Sequence, residues 1–296
     1  MINLEGLRPW AGLPEAPLEQ ASVVIAGIPY DGSAVYRRGA ALAPATLRRL
    51  SAAVPPVDER GRFLDGVTLH DLGDLDAGDD IERSWEALAG RLAAVPQDAF
   101  LTVLGGDHCS FIPVLAAQAR RHPGLALLWV DAHPDLCDTS RGGAWTCGCA
   151  LRRALECAAL PASDIALLGC RDFDWEEVGY IEQHDVLMVS AAGATEDPHG
   201  TARRLRGLLA GRPVHVSFDI DALDPAFAPG TEVACAGGFS TREALDLLAA
   251  VAAGSRLVGV DVCEVSPPLD HTDITSLAAL KLIFELWSMR SRRGDR

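Results

Sequence analysis

Carboxylates and imidazoles recur in three short runs of this chain at spacings suited to holding metal ions. Asp131, His133 and Asp135 stand at i, i+2 and i+4, Asp219 and Asp221 at i and i+2, and His108 follows Gly105, Gly106 and Asp107. In extended backbone alternate side chains point to one side, so each of the first two runs aims its functional groups one way. The glycines before His108 let the backbone approach a neighbour closely. Any one run alone equally suits turn formers and caps. Together they differ: Asp131, Asp135, Asp219 and Asp221 would repel strongly in one pocket unless cations sit among them, and two divalent ions balance the four charges. Carboxylate oxygens with two imidazoles and no obligatory thiolate make a harder donor set than a zinc finger's, which favours manganese over zinc, cobalt, nickel or iron. Two such ions about 3.5–4 Å apart can share a water and lower its pKa toward neutrality, so the chemistry expected is hydrolysis.

Short apolar runs that each lead into a Gly, Asp or Pro cluster and then a helical pattern must position these groups, and that rhythm predicts parallel βαβ units. Strands are expected at 22–28, 67–71, 99–105, 125–131, 164–169, 185–189, 214–219 and 256–262, and helices at 44–51, 80–94, 110–121, 147–158, 199–210, 241–253 and 275–288. Several of the strands are continuously apolar, as for strands covered on both faces. His108 then follows the third strand, Asp131 ends the fourth, Asp219 ends the seventh and Glu264 follows the eighth. Open α/β sheets bind ligands beyond the carboxyl ends of their strands, so four clusters point at one place.

No Ser- or Pro-rich linker divides the chain, and a single domain over 1–296 is expected. Residues Met1 to Gln20 lack the basic start and apolar stretch of a signal peptide. The apolar runs, such as 125–130, fall far short of the ~18 residues of a membrane span, so no membrane partner is expected. With 26 Lys and Arg against 41 Asp and Glu, the formal charge of -15 would repel a phosphate backbone, which excludes nucleic acid and suits cationic ligands or plain solubility. The 8 cysteines show no framework spacing, so reduced thiols and a cytoplasmic location are expected.

The runs Gly105-Gly106-Asp107-His108, Asp131-Ala132-His133-Pro134-Asp135 and the SFDIDALDP of 217–225 resemble the three signature motifs of the ureohydrolases, the family of arginase, agmatinase and formimidoylglutamase. GIPYDGSAVYRRGA (27–40), AFAPGT (226–231) and VCEVSPPLDHTDITSLAALKLIFEL (262–286) add likeness to the agmatinase branch, so the resemblance covers nearly the whole chain. It implies the arginase-like three-layer α/β/α sandwich around an eight-stranded parallel sheet, in agreement with the strand count. It also implies two manganese ions per subunit, one held by His108 and Asp135, the other by His133 and Asp221, with Asp131 and Asp219 bridging. Glu264 matches the glutamate that faces the substrate guanidinium, where a carboxylate accepts charge-assisted bonds from a planar cation. A small guanidino or amidine substrate and a homo-oligomer, trimer or hexamer, are further implications.

The chain departs from that pattern in the loop after the fourth strand. Where the family usually has a histidine held to pass protons to the leaving amine, AWTCGCALRRAL places Cys147, with Cys149 at the usual threonine. An unperturbed thiol, with a pKa near ~8.5, is a poor match for that duty. Cys147 is thus a pocket-shaping filler, an active thiol, or the mark of a member without the usual reaction. Cys137 and Cys149 are expected to be inert. Cys235 alters a second stretch of the expected pocket rim. For the substrate's far end, the loop after the first strand offers Tyr30, Asp31, Tyr36, Arg37 and Arg38, and the loop after the fourth offers Asp138, Ser140 and Arg141. Arginines such as Arg141 suit a carboxylate, and Asp138 suits an amine. The expected activity is cleavage of a guanidino compound, agmatine or a guanidino acid, to urea and an amine. Hydrolysis of a formimidoyl or modified guanidine, and a non-catalytic metal-binding paralogue, are the alternatives.

Overall fold

The computed structural model describes residues 6–291, so both ends of the expected 1–296 domain, and Met1 and its first neighbours in the signal-peptide reading, lie outside the described residues. Eight apolar runs form the strands β1 (Val23–Gly27), β2 (Leu69–Asp74), β3 (Phe100–Leu104), β4 (Ala126–Val130), β5 (Ile165–Leu168), β6 (Leu187–Val189), β7 (Pro213–Asp219) and β8 (Arg256–Cys263). They make one sheet in the order β2-β1-β3-β8-β7-β4-β5-β6, and every pairing is parallel. Strands β1, β3, β4, β5 and β7 are buried along their whole length, which is why they read as unbroken apolar runs.

Two apolar cores lie on opposite faces of the sheet. In β4, Ala126, Leu128 and Val130 enter one core while Leu127 and Trp129 enter the other. The first core takes in α1 (Ala43–Ser51), α6 (Ala191–Glu196), α7 (Pro198–Leu209), α8 (Thr241–Ala252) and α9 (Ile274–Ser291). The second takes in α2 (Ile81–Ala93), α3 (Ile112–Arg121), α4 (Ala150–Ala158) and α5 (Trp175–Gln183). This is the expected three-layer α/β/α sandwich on an eight-stranded parallel sheet.

All seven expected helices form, and α5 and α6 are additions. The first carried a readable signal: Asp174 and Glu177 make a capping box, with the Asp174 N–H donating to Glu177 Oε2 at 2.8 Å. The second is a short helix capped by Ser190.

Two local features aim the site. Strand order places β3, β8, β7 and β4 side by side at the centre, so the loops leaving their carboxyl ends meet. Gly106 lies so close to β1's outgoing loop that a Cβ there would sit 1.8 Å from the Tyr30 carbonyl oxygen, to which the Asp107 N–H donates at 2.7 Å. The close approach expected of this glycine is thus obligatory. Strand β7 alternates strictly: Val214, Val216 and Phe218 face one core, which leaves His215, Ser217 and Asp219 for the other face.

At the base of the first core Trp287 is fully buried, 5.6 Å from the Trp10 ring and 5.0 Å from Phe284, and its indole N–H donates to Thr102 Oγ1 at 2.9 Å. Trp287→Ala should cost about 3–5 kcal/mol. A shift of the denaturant midpoint equivalent to less than about 1 kcal/mol would show that the sheet does not depend on this anchor.

Candidate metal centre and the adjoining cavity

Turns, not extended backbone, bring the expected ligands together. Asp131 ends its strand's loop approach with Oδ1 accepting the His133 N–H at 2.7 Å, and Asp219 does the same for the Asp221 N–H at 2.8 Å. Each carboxylate thereby folds the next residues back beside itself. Asp135 adopts φ +52, a left-handed conformation that turns its side chain inward. The expectation of an extended i, i+2, i+4 run is corrected on this point, although the side chains do converge.

His108 Nδ1 lies 3.0 Å from Asp131 Oδ2, 3.1 Å from Asp219 Oδ2 and 3.5 Å from Asp135 Oδ2. His133 Nδ1 lies 3.1 Å from Asp221 Oδ2 and 3.5 Å from Asp131 Oδ1. His108, Asp131 and Asp219 form one group of converging donors, and Asp131, His133 and Asp221 a second, with Asp131 common to both. All four aspartates are at most 6 % exposed.

Hydrogen bonding fixes which His108 nitrogen faces the carboxylates. The Ser217 hydroxyl donates to Asp261 Oδ2 at 3.0 Å, so its oxygen is left to accept from His108 Nε2 at 3.0 Å. Nδ1 then carries a lone pair. Asp261 Oδ1 receives His215 Nε2 at 2.7 Å, and Gln118 Nε2 donates to His215 Nδ1 at 2.8 Å. The amide orientation of Gln118 is set in turn by Arg121, a group with donors only, on Gln118 Oε1 at 2.5 Å. The His108 ring stacks on Trp129, centroids 3.9 Å apart and planes 6° from parallel.

The electrostatics call for cations. Burial and then the Asp221 and Asp131 carboxylates push Asp219 well above the usual carboxylate range, and burial with Asp131 does the same to Asp135. Burial opposes charge on His108, yet the Asp131 and Asp219 carboxylates outweigh it and hold the imidazole well above its ordinary value. His108 Nδ1 and Asp131 Oδ2 are both buried without a hydrogen-bond partner, despite facing each other. Lone pairs converging on a common point, from oxygen and imidazole nitrogen, fit divalent cations of the manganese type.

A cavity of about 260 Å³ opens onto this centre, lined by His108, His133, Asp135, Asp219 and Asp221 at its floor and by Glu264, Cys147 and Arg141 around it. Glu264 adopts φ +62; its N–H donates to the Gly106 carbonyl at 2.8 Å, its Oε1 accepts the His108 N–H at 2.8 Å, and its Oε2 is buried without a partner. Cys147 donates to Glu264 Oε1 at 3.5 Å and lies 3.3 Å from Ser33 Oγ. Burial, Asp107 and Glu264 raise its pKa well above a free thiol's, so it stays protonated. Cys149 is fully buried, and Cys137 is buried against Asp174.

At the mouth the two expected far-end residues part company. Arg141 lines the cavity in a tight turn with Gly142, φ +50 and +83, closed by the paired backbone bonds of Ser140 and Gly143 at 2.8 and 3.0 Å. Asp138 stands off the cavity lining, with its carboxylate on Arg153 at 2.8 Å and its side chain 61 % exposed. Of the loop after β1 only Val35 lines the cavity, and Cys235 does not. Sequence reasoning missed Glu177 and Glu232, both lining and both 4 % exposed. Glu177 Oε1 accepts the Leu136 N–H at 2.8 Å, and burial raises its pKa to about 7. The capping box could have found Glu177; Glu232 carried no local signal.

If Ser217 and Asp261 set the His108 tautomer, Ser217→Ala should weaken divalent-metal affinity by about 10–100-fold, as outer-shell changes do. Titration with manganese would check this, and unchanged affinity would assign the tautomer to another cause.

Comparison with known proteins agrees with this geometry. The sequence pattern of the arginase family matches residues 21–288. An agmatinase of Bacillus cereus is 34% identical over 283 residues, 90% of this chain and 91% of that protein. Proclavaminate amidinohydrolase of Streptomyces clavuligerus is 35% identical over 285 residues, 93% and 90% of the two chains, and its solved structure superposes with a TM-score of 0.89 over 99% of each. The structure of formimidoylglutamase from Bacillus subtilis, 25% identical, superposes at 0.87 over 98% of this chain and 94% of its own. With the family pattern running from β1 to α9 and the imidazole–carboxylate groups at the ends of the central strands, this chain belongs to the arginase family.

Proposed function

We propose that this protein is a binuclear manganese amidinohydrolase that cleaves a guanidino compound to urea and an amine, with the chain over 1–296 acting as one domain. The observation that carries the reading is the buried, unpartnered Glu264 Oε2 on the same cavity as His108, whose orphaned Nδ1 faces the equally unpartnered Asp131 Oδ2 behind it. A buried carboxylate oxygen without a donor is costly, and a guanidinium supplies the charge-assisted N–H it lacks. His108, Asp131, Asp135 and Asp219 would hold one ion, and His133, Asp221, Asp131 and Asp219 the other. When bound, the pair of ions supplies a water acidic enough to ionise near neutral pH and polarises the substrate's carbon.

This chain's own groups do the positioning. Glu264 holds the guanidinium over the floor of the cavity, itself fixed by the His108 and Gly106 backbone contacts. Cys147, kept as a thiol, donates to Glu264 and shapes the wall beside it. Arg141 has no hydrogen bond or ion pair among the described residues and lines the mouth, free to receive a carboxylate on the substrate's far end. Formimidoyl hydrolysis is the second reading, favoured by the absence of an imidazole at Cys147, since a less basic leaving group needs less help from a donor. A cytoplasmic location and a homo-oligomer accompany the proposal; no described helix is long and apolar enough to cross a membrane.

The manganese-loaded protein should release urea from agmatine, arginine or a guanidino acid. Formamide release from formimidoylglutamate alone would favour the second reading, and neither product would favour a metal-binding paralogue. Glu264→Gln should lower kcat/KM by roughly 10–100-fold, the worth of a charged hydrogen bond of about 1.5–3 kcal/mol, with metal content intact. If both fall together, Glu264 supports the ions instead. Arg141→Ala should raise KM for a guanidino acid several-fold and leave that for agmatine unchanged; equal changes would remove Arg141 from substrate recognition.

A further inference from the structure

An alkylamine leaves a tetrahedral carbon only when a proton reaches the departing nitrogen, so the cavity must hold a group able to carry one. At the Glu264 end, single ligand atoms of Cys147, Glu232 and Glu264 all lie within 4.8 Å of one another. Glu264 Oε1 is already engaged by the His108 N–H and the Cys147 thiol, and its buried Oε2 awaits a cation. Glu232 is 4 % exposed and lines the same cavity. Its Oε1 accepts the backbone N–H groups of Tyr36 and Arg37, the second at 3.1 Å, and no described residue engages its Oε2. Two carboxylate oxygens no more than 4.8 Å apart can each accept an N–H of one guanidinium at an ordinary length of about 2.9 Å, Glu264 from a terminal nitrogen and Glu232 from the alkylated nitrogen beside it.

We propose that Glu232 is a catalytic acid–base residue, the carrier of the proton to the departing nitrogen. The inference rests on the amidinohydrolase reading. As water adds to the guanidinium carbon and the C–O bond forms, a proton passes from the oxygen to the Glu232 carboxylate. The carboxylic acid then protonates the departing nitrogen, the C–N bond breaks with its electron pair going to that nitrogen, and the carboxylate is regenerated. The remaining proton leaves the nascent urea for the amine, so guanidinium and water give urea and alkylammonium, with nothing oxidised or reduced. Of the three groups gathered at this end of the cavity, Cys147 is held as a thiol and Glu264 faces the cation, which assigns the duty to Glu232.

The clasp on Tyr36 and Arg37 uses one acceptor oxygen, which an amide keeps, so Glu232→Gln separates proton transfer from loop anchoring. The test compares wild type and Glu232→Gln, at equal manganese content and equal thermal midpoint, on a guanidino acid and on its guanidinooxy isostere, whose alkoxyamine is a weak base that leaves unaided. The expected result is a kcat lowered by roughly 10²–10⁴-fold on the guanidino acid and by a factor at least about tenfold smaller on the guanidinooxy isostere, which keeps only the proton acceptance from water, with KM within about threefold of wild type. Equal losses on both substrates, a loss confined to KM, or no loss overturns the role of Glu232 while leaving the amidinohydrolase reading in place. Wild-type protein that releases urea from none of agmatine, arginine and the guanidino acid overturns both. Glu232→Ala supplies a second arm: added formate should restore turnover of the guanidino acid, and absence of rescue counts against proton carriage.

Discussion

Four aspartates packed within reach of two imidazoles, at the ends of adjacent strands and out of water, form the constraint that organises this molecule. Like charges at that separation cannot all persist in a low-dielectric interior without protons or cations among them. The rest of the fold acts to hold them there regardless. Gly106 lets the His108 loop lie against the loop leaving β1, β7 alternates His215, Ser217 and Asp219 onto one face, and the second core closes over them with Phe111 and Trp129.

That constraint explains a polar thread through an otherwise apolar face. Arg121, Gln118, His215, Asp261 and Ser217 run in unbroken hydrogen bonds to His108, all at most 6 % exposed. Buried polar groups of this kind are tolerable when every member is satisfied, and here each donor meets an acceptor. Satisfaction fails where the thread reaches the site, at His108 Nδ1 and, around it, at Asp131 Oδ2 and Glu264 Oε2. Burial without partners marks where the molecule expects something from outside.

The sheet and most helices were legible because parallel strands buried on both faces read as continuous apolar runs, and the metal-type residues were legible because Asp and His cluster at strand ends. What the sequence concealed depends on backbone rotations and long-range contact. The left-handed turn at Asp135 and the Asx turns at Asp131 and Asp219 produce by a different route the convergence that an extended reading would give. Asp138 and Arg141, three residues apart, looked equivalent until folding put one on Arg153 and the other on the cavity. Glu232 could not be anticipated, since its relation to Cys147 and Glu264 exists only once loops after β4, β7 and β8 meet.

The thiol of Cys147 has one more consequence, for chemical damage. Electrophiles and peroxide attack thiolates, and burial, joined by the Asp107 and Glu264 carboxylates, keeps this sulfur in the neutral form. The low-dielectric wall and the acidic neighbours that suit the cavity to a cation therefore together shield its cysteine from alkylation and from oxidation to a sulfenic acid, whose added oxygen would crowd the passage to the floor. A protein with 8 cysteines, none in a disulfide, thus keeps its most consequential one unreactive without burying it completely.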